Sequence, residues 1–223
     1  MRTRIKFCGL TREADVEAAA EVGADAVGFV FFEKSPRAVS ASRAKALARH
    51  VAPWMSIVGL FVNASASQIR ALADEVGLSH VQLHGDETPE QCMHLGRPVI
   101  KAIRIDAQTQ EPALVKSIQA YADCDALLFD ADSEGFGGSG HSFDWSLIAP
   151  LASSLRGRWV LSGGLHEQSV SQAIALLAPP ALDVSSGIEL LQQGQTVKGV
   201  KDAQRMQAFM RAVAQADQER NGA

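Results

Sequence analysis

The sequence has few cysteines, no long apolar run and no excess of positive charge, and each shortage removes a class of protein. Three cysteines among 223 residues, none in a Cys-x-x-Cys spacing, predict neither a disulfide framework nor a zinc site. The most apolar stretch, Val22 to Phe32, contains Asp25 and is too short to span a bilayer. At the amino terminus, Arg2, Arg4 and Lys6 interrupt what would have to be the apolar heart of a signal peptide. A net charge of -4 argues against nucleic acid, which favours a basic face. It leaves room for a small anionic ligand, which needs only a local pocket of donors. These shortages predict a cytoplasmic chain with no membrane partner. Hydrophobic residues at 47% and charged residues at 21% suffice for a large core and a soluble surface. No low-complexity linker interrupts the chain, so one domain is expected over residues 1–216, with a frayed tail over 217–223.

What the chain does have is alternation. Short β-branched runs at Arg4–Cys8, Ala26–Phe31, Ser56–Val62, His80–Leu83, Val99–Arg104, Ala126–Asp130, Arg158–Ser162 and Ala181–Ser185 are separated by longer amphipathic segments. The runs are apolar on successive residues, as expected of parallel strands covered on both faces. Helix signals lie between them: Thr88-Pro89-Glu90-Gln91 and Ser65 with Gln68 read as capping boxes. Glu21 to Val27 and Glu75 to Val81 repeat one pattern of helix end, Gly stop, turn and strand. Eight strand–helix units in a chain of this length predict an α/β single-domain (β/α)8 TIM barrel. A doubly wound open sheet is also compatible with the alternation.

On a barrel, catalytic side chains belong at strand C-termini and in the loops that follow. Cys8 ends the first run. An isolated cysteine is more often a small buried hydrophobe, but at a barrel mouth a thiol with a lowered pKa can serve as a base. Asp130 ends the sixth run; there it either caps the next loop or acts as a partly desolvated acid. Arg37, after Pro36, is a candidate fork for a carboxylate or phosphate. His84 ends the fourth run and would orient the thiol or the substrate, or serve only as a satisfied structural histidine. Gly163 and Gly164 after the seventh run, with Ser185, Ser186 and Gly187 after the eighth, form paired loops suited to phosphate. Gly135 to Gly140 matches Gly-x-Gly-x-x-Gly formally, but it stands late in the chain, apart from its strand and with no helix following at once, which argues against a dinucleotide. The same stretch fails as a calcium loop because His141 stands where Glu is required. Residues 131–142 instead suit a mobile lid, or else a plain flexible loop. Cys92 and Cys124 read as structural, and the remaining histidines suggest no metal set.

Taken in order, several segments carry a likeness: Lys6-Phe7-Cys8-Gly9-Leu10-Thr11, Ser35-Pro36-Arg37, Gln82-Leu83-His84-Gly85, Phe129-Asp130, Ser162-Gly163-Gly164-Leu165, Asp183-Val184-Ser185-Ser186-Gly187-Ile188-Glu189 and Lys198-Gly199-Val200-Lys201-Asp202. Together they resemble the N-(5′-phosphoribosyl)anthranilate isomerase family of tryptophan biosynthesis across nearly the whole chain. Phe7, Ala131, Ser139 and Ser162 depart from that family's usual residues without removing a candidate catalytic group. The resemblance implies an Amadori rearrangement of an aminoaldose phosphate to an aminoketose phosphate. Asp130 would protonate the ribose ring oxygen and Cys8 would take the C2′ proton, from opposite barrel strands. Arg37 would hold the anthranilate end, and the loops at Gly163-Gly164 and Ser185-Ser186 the phosphate. The iminium nitrogen is an internal electron sink, so the resemblance implies no cofactor and no metal. The partner expected is a small-molecule phosphosugar, with the chain a monomer or homodimer. An imidazole-carboxamide ribotide isomerase is the nearest competitor, and Cys8 in place of an aspartate argues against it. A non-catalytic phosphosugar-binding subunit or a dual-substrate isomerase would fit the same residues.

Overall fold

Strands that are apolar on both faces need cover on both, and the chain supplies it by closing its sheet on itself. The computed structural model describes residues 2–131, 143–155 and 157–222. Eight parallel strands run in sequence order round a closed barrel: β1 (Arg4–Cys8), β2 (Ala26–Val30), β3 (Ser56–Phe61), β4 (His80–Leu83), β5 (Val99–Ile105), β6 (Ala126–Ala131), β7 (Trp159–Leu161) and β8 (Ala181–Val184). The barrel closes where β1 pairs with β8, from Arg4 opposite Ala181 to Phe7 opposite Val184. That closure decides against an open sheet. The expected lid over 131–142, with Gly135, Gly140 and His141, lies outside the described residues except for Ala131, which ends β6.

Among the described residues six α-helices flank the barrel: α1 (Glu13–Glu21), α2 (Ala41–Ala48), α3 (Ala66–Val76), α4 (Glu111–Ala120), α5 (Val170–Leu177) and α6 (Ala203–Gly222). The Ser65–Gln68 capping box opens α3, and Gly77 closes it in the left-handed conformation. The Thr88–Gln91 box also forms, with Thr88 N donating to Gln91 Oε1 at 2.8 Å and Gln91 N to Thr88 Oγ1 at 3.4 Å. It starts only a 3₁₀ turn, Glu90–Cys92. His94 and Gly96 take positive φ soon after, and Pro98 follows. A second 3₁₀ turn, Trp145–Leu147, stands after β6. Eight complete strand–helix units are therefore not what the chain builds among the described residues. After β8 it inserts a 3₁₀ turn, Ser186–Ile188, and an antiparallel hairpin of β9 (Glu189–Gln192) and β10 (Gln195–Lys201).

The frayed tail expected from 217 is also corrected, because α6 continues to Gly222. Asp217 is buried and accepts hydrogen bonds from Thr3 N at 2.6 Å and Thr3 Oγ1 at 2.8 Å. These bonds pin the last helix to the start of β1.

Strand alternation sorts residues into two populations. Phe7, Phe29, Phe61 and Phe129 are fully buried with the helices' Val16, Leu47, Ile69 and Phe209, and such burial supplies the main favourable term in folding. Inside the upper barrel, Cys8, Val30 and Leu60 form a separate small cluster. The polar residues Gln82, Asp130 and Asp183 share the wall of the same cavity. Beside β4, buried Glu87 accepts from Lys101 Nζ at 2.7 Å, Asn63 N at 2.8 Å and Gly85 N at 3.0 Å. This fixes the turn that follows His84. Among the described residues no helix is long and apolar enough to cross a membrane.

Candidate active site

Five of the predicted residues, Cys8, Arg37, His84, Asp130 and Ser185, line one cavity at the C-terminal mouth of the barrel. β1 and β6 are three strands apart round the barrel, so Cys8 and Asp130 face the space from different sides without being diametrically opposed.

On the β1 side the surroundings are charged. Lys6, two residues before Cys8 and so on the same face of the strand, sits beside the thiol over Gly28, and its charge acts on it. Its Nζ donates to Asp183 Oδ1 on β8 at 2.9 Å. A Cβ at Gly28 would lie 3.0 Å from both Cys8 Sγ and Lys6 Nζ, so a larger residue there would displace the pair. Burial raises the Cys8 pKa above its ordinary value, Asp183 reinforces the rise, and the opposing charges of Lys6 and Lys201 do not cancel it, so the lowered thiol pKa expected at the barrel mouth is not what the free site holds. Burial alone would lower the Lys6 ammonium, but attraction to Asp183 and Cys8 holds it above its ordinary value. A buried ion pair adds little net stability, so Lys6 and Asp183 are poorly explained as stabilisers. Neither is singled out by the strand-end rule, although a Lys and an Asp within strands expected to be apolar on both faces is a readable signal.

On the β6 side the surroundings are an imidazole and an amide. His84 Nε2 lies 3.0 Å from Asp130 Oδ2, and His84 Nδ1 lies 3.0 Å from Gln82 Nε2. With the Gln82 amide donating, Nδ1 accepts and Nε2–H is donated to an Asp130 carboxylate. With the amide turned over, the chain runs the other way, and a protonated Asp130 donates to Nε2. Gln82 Oε1 is buried without a partner among the described residues in the first arrangement. His84 therefore contacts the aspartate rather than the thiol.

Arg37 is buried, with Nε and Nη2 donating to Glu189 Oε1 and Oε2 at 2.7 and 2.8 Å. This is the bidentate fork expected of Arg, but it grips a carboxylate of the chain itself. Glu189 also accepts from Gly199 N at 2.8 Å and from Lys201 Nζ at 3.3 Å. Burial would raise its pKa, yet the Arg37 hydrogen bond, with the charges of Lys201 and Arg37, brings it below the ordinary value. The Lys201 side chain is fully buried, and its Nζ reaches back to Ser185 O at 2.9 Å. Burial lowers its pKa to about 8, against the pull of Glu189 and with the push of Arg37.

The two glycine loops divide the labour expected of them. Gly164, Ser186 and Gly187 line a second cavity, which shares Arg37 with the first. A Cβ at Gly187 would stand 1.9 Å from Leu165 O, so the loops can lie backbone to backbone only with glycine there. Gly163, at φ +85, lines neither of these two cavities. It backs onto β6, where a Cβ would stand 2.5 Å from Ala131 N and 3.2 Å from Asp130 Oδ1. Ser185 faces Cys8, donating from Oγ to Cys8 O at 3.0 Å. After Gly163-Gly164 the next α-helix begins only at Val170, whereas the 3₁₀ turn from Ser186 follows Ser185 at once. No α-helix therefore starts directly behind the Gly163-Gly164 loop.

The family model described as N-(5′phosphoribosyl)anthranilate (PRA) isomerase matches residues 5–212. The N-(5′-phosphoribosyl)anthranilate isomerase of Ralstonia nicotianae is 48% identical over 97% of this chain and 94% of its own. Among solved structures, the phosphoribosyl anthranilate isomerase of Thermotoga maritima superposes with a TM-score of 0.85 at 37% identity, covering 96% of this chain and 99% of its own. A second isomerase structure, in complex with reduced 1-(o-carboxyphenylamino)-1-deoxyribulose 5-phosphate, gives a TM-score of 0.82 at 35% identity, over 96% and 99% of the two chains. With matches of this length, and with Cys8, Arg37 and Asp130 gathered in one barrel mouth, the chain belongs to the N-(5′-phosphoribosyl)anthranilate isomerase family.

Proposed function

We propose that this chain isomerises N-(5′-phosphoribosyl)anthranilate with Cys8 as general base and Asp130 as general acid. Asp130 gives its proton to the ribose ring oxygen as the C1′–O bond breaks, leaving an iminium at C1′. Cys8 thiolate takes the C2′ proton, and the C–H electron pair flows toward the iminium nitrogen to form an enolamine. Loss of the O2′ proton and protonation at C1′ then give the aminoketose, with no net change in protons. The observation that carries this reading is the shared cavity of Cys8 and Asp130. A relative crystallised with the reduced aminoketose phosphate supports the substrate class. That ligand has a phosphate at one end and a carboxylate at the other. Gly164, Ser186 and Gly187 suit the phosphate, since glycine lets backbone N–H groups approach an anion. Arg37, standing at the wall between the two cavities, suits the carboxylate.

Turnover of N-(5′-phosphoribosyl)anthranilate by the purified chain, followed as formation of the aminoketose phosphate, tests the reading. Well-folded protein that binds the substrate without converting it would overturn it and favour a non-catalytic binding subunit.

A further inference from the structure

Lys201 has no part in the reaction as described, yet it stands where the parts of the site meet. Its Nζ contacts Ser185 O at 2.9 Å, Ser185 Oγ at 3.3 Å and Glu189 Oε1 at 3.3 Å. Ser185 Oγ in turn holds Cys8 O, and Glu189 holds Arg37. One ammonium thus joins the end of β1, the loop after β8 and the carboxylate that aims Arg37. The backbone of Lys201 is anchored as well: its N donates to Asp15 Oδ2 at 3.3 Å, and its O accepts from Arg12 Nη2 at 2.9 Å.

The electrostatics give this node a direction. Lys201 shares Glu189 with Arg37, so the carboxylate that attracts the ammonium is divided between two cations. Arg37 also repels Lys201 directly, while Cys8 attracts it. Of the remaining charges nearby, Lys6 and Asp183 pair with each other beside Cys8. Arg205 approaches through Nη1 on Glu189 O, and Asp15 meets the backbone of Lys201 and the Arg12 side chain. A buried charge in this position is favoured when an opposite charge docks nearby. Arg37 borders both cavities, so the two anionic ends of the substrate approach the cluster from either side.

We propose that Lys201 is a positioning residue whose charged form holds Cys8 and Arg37 in register and is linked to substrate binding. This rests on the assignment of Cys8 as base and Arg37 as carboxylate clamp. Linkage is reciprocal: substrate favours the ammonium, and loss of the ammonium weakens the substrate. Burial has already brought Lys201 to about 8. In the free protein the charged form is therefore lost as pH rises through that region, and in the complex it is lost only at higher pH.

The test is the pH dependence of kcat/KM and kcat for the wild type, Lys201→Met and Lys201→Arg, with melting curves as the check on folding. Because the Cys8 thiol titrates as well and burial raises its pKa, Lys201 is read from the ratio of wild type to Lys201→Met. The wild-type advantage in kcat/KM should shrink above about pH 8, while its advantage in kcat holds to higher pH, because the first reports the free enzyme and the second the complex. Near neutral pH that advantage in kcat/KM should be about tenfold or more, a coupling of ordinary size. Lys201→Arg keeps its charge and should hold its advantage to higher pH; if arginine proves too large to fold, the wild-type and Lys201→Met profiles decide. Lys201→Met within twofold of wild type, or a ratio that does not change with pH between folded proteins, would overturn the proposal. If Cys8→Ala and Arg37→Ala abolish turnover or binding while Lys201→Met does not, only this inference fails. If those two are themselves harmless, the site assignment fails first.

Discussion

Around Cys8 the polar neighbours are ions, and around Asp130 they are an amide and an imidazole. Lys6, Asp183 and Lys201 press their charges on the thiol, while His84 and Gln82 offer Asp130 a hydrogen-bonded chain. The contrast follows from the tasks proposed for the two groups. A buried thiol is pushed toward its neutral form, and a base must be ionised, so cations beside it are required. An acid must be protonated before the step and anionic after it. A neighbour that accepts or donates by changing tautomer serves both states, whereas a fixed cation would favour only the second. The barrel therefore equips its two sides with different electrostatics.

The largest effect expected of breaking this contrast is at the acid. Asp130→Asn should lower kcat by roughly 10²–10⁴-fold, the usual share of a general acid, with an unchanged melting curve. Near-normal steady-state turnover would reduce the β6 side to packing. Next comes Arg37→Ala, expected to raise KM by about 10- to 100-fold, as for loss of hydrogen bonds to a charged group. A fall in kcat alone would contradict the clamp.

Lys6→Met sharpens the comparison through its sign. Thiolate is lost as pH falls, and removing the cation raises the thiol pKa. The acid limb of kcat/KM should therefore move up by about one unit, the scale of one nearby charge. Asp183→Asn should move the same limb down, because Asp183 raises the thiol pKa. Pairs of pH–rate profiles that coincide would remove the ion pair from the base's chemistry. The smallest effect is expected at His84→Gln, a loss of about fivefold in kcat, the worth of one neutral hydrogen bond, with the acid limb in place.

Much of this was legible in the sequence, and what was not has physical reasons. Unbroken apolar strand runs required cover on both faces, which a closed barrel supplies, and all eight strands fall within a residue or two of the expected bounds. Strand ends then picked out Cys8, His84 and Asp130. Capping chemistry misled at Thr88, where the box forms but positive-φ residues end the turn before a helix can grow. The tail misled because composition cannot show that Thr3 pins Asp217. Arg37 does form a bidentate fork, but on Glu189, 152 positions away, a pairing no local pattern encodes. Lys201 was hidden for the same reason. Lys6 and Asp183 were readable in principle, since charges inside doubly covered strands must find a partner.

The role of Cys8 as base is tested most sharply by kcat for Cys8→Ala at saturating substrate, alongside its melting curve. Cys8→Ala should lose about 10²-fold or more while melting as the wild type does. Turnover within a few-fold of wild type would contradict it, and the charged surroundings of Cys8 would then need another explanation.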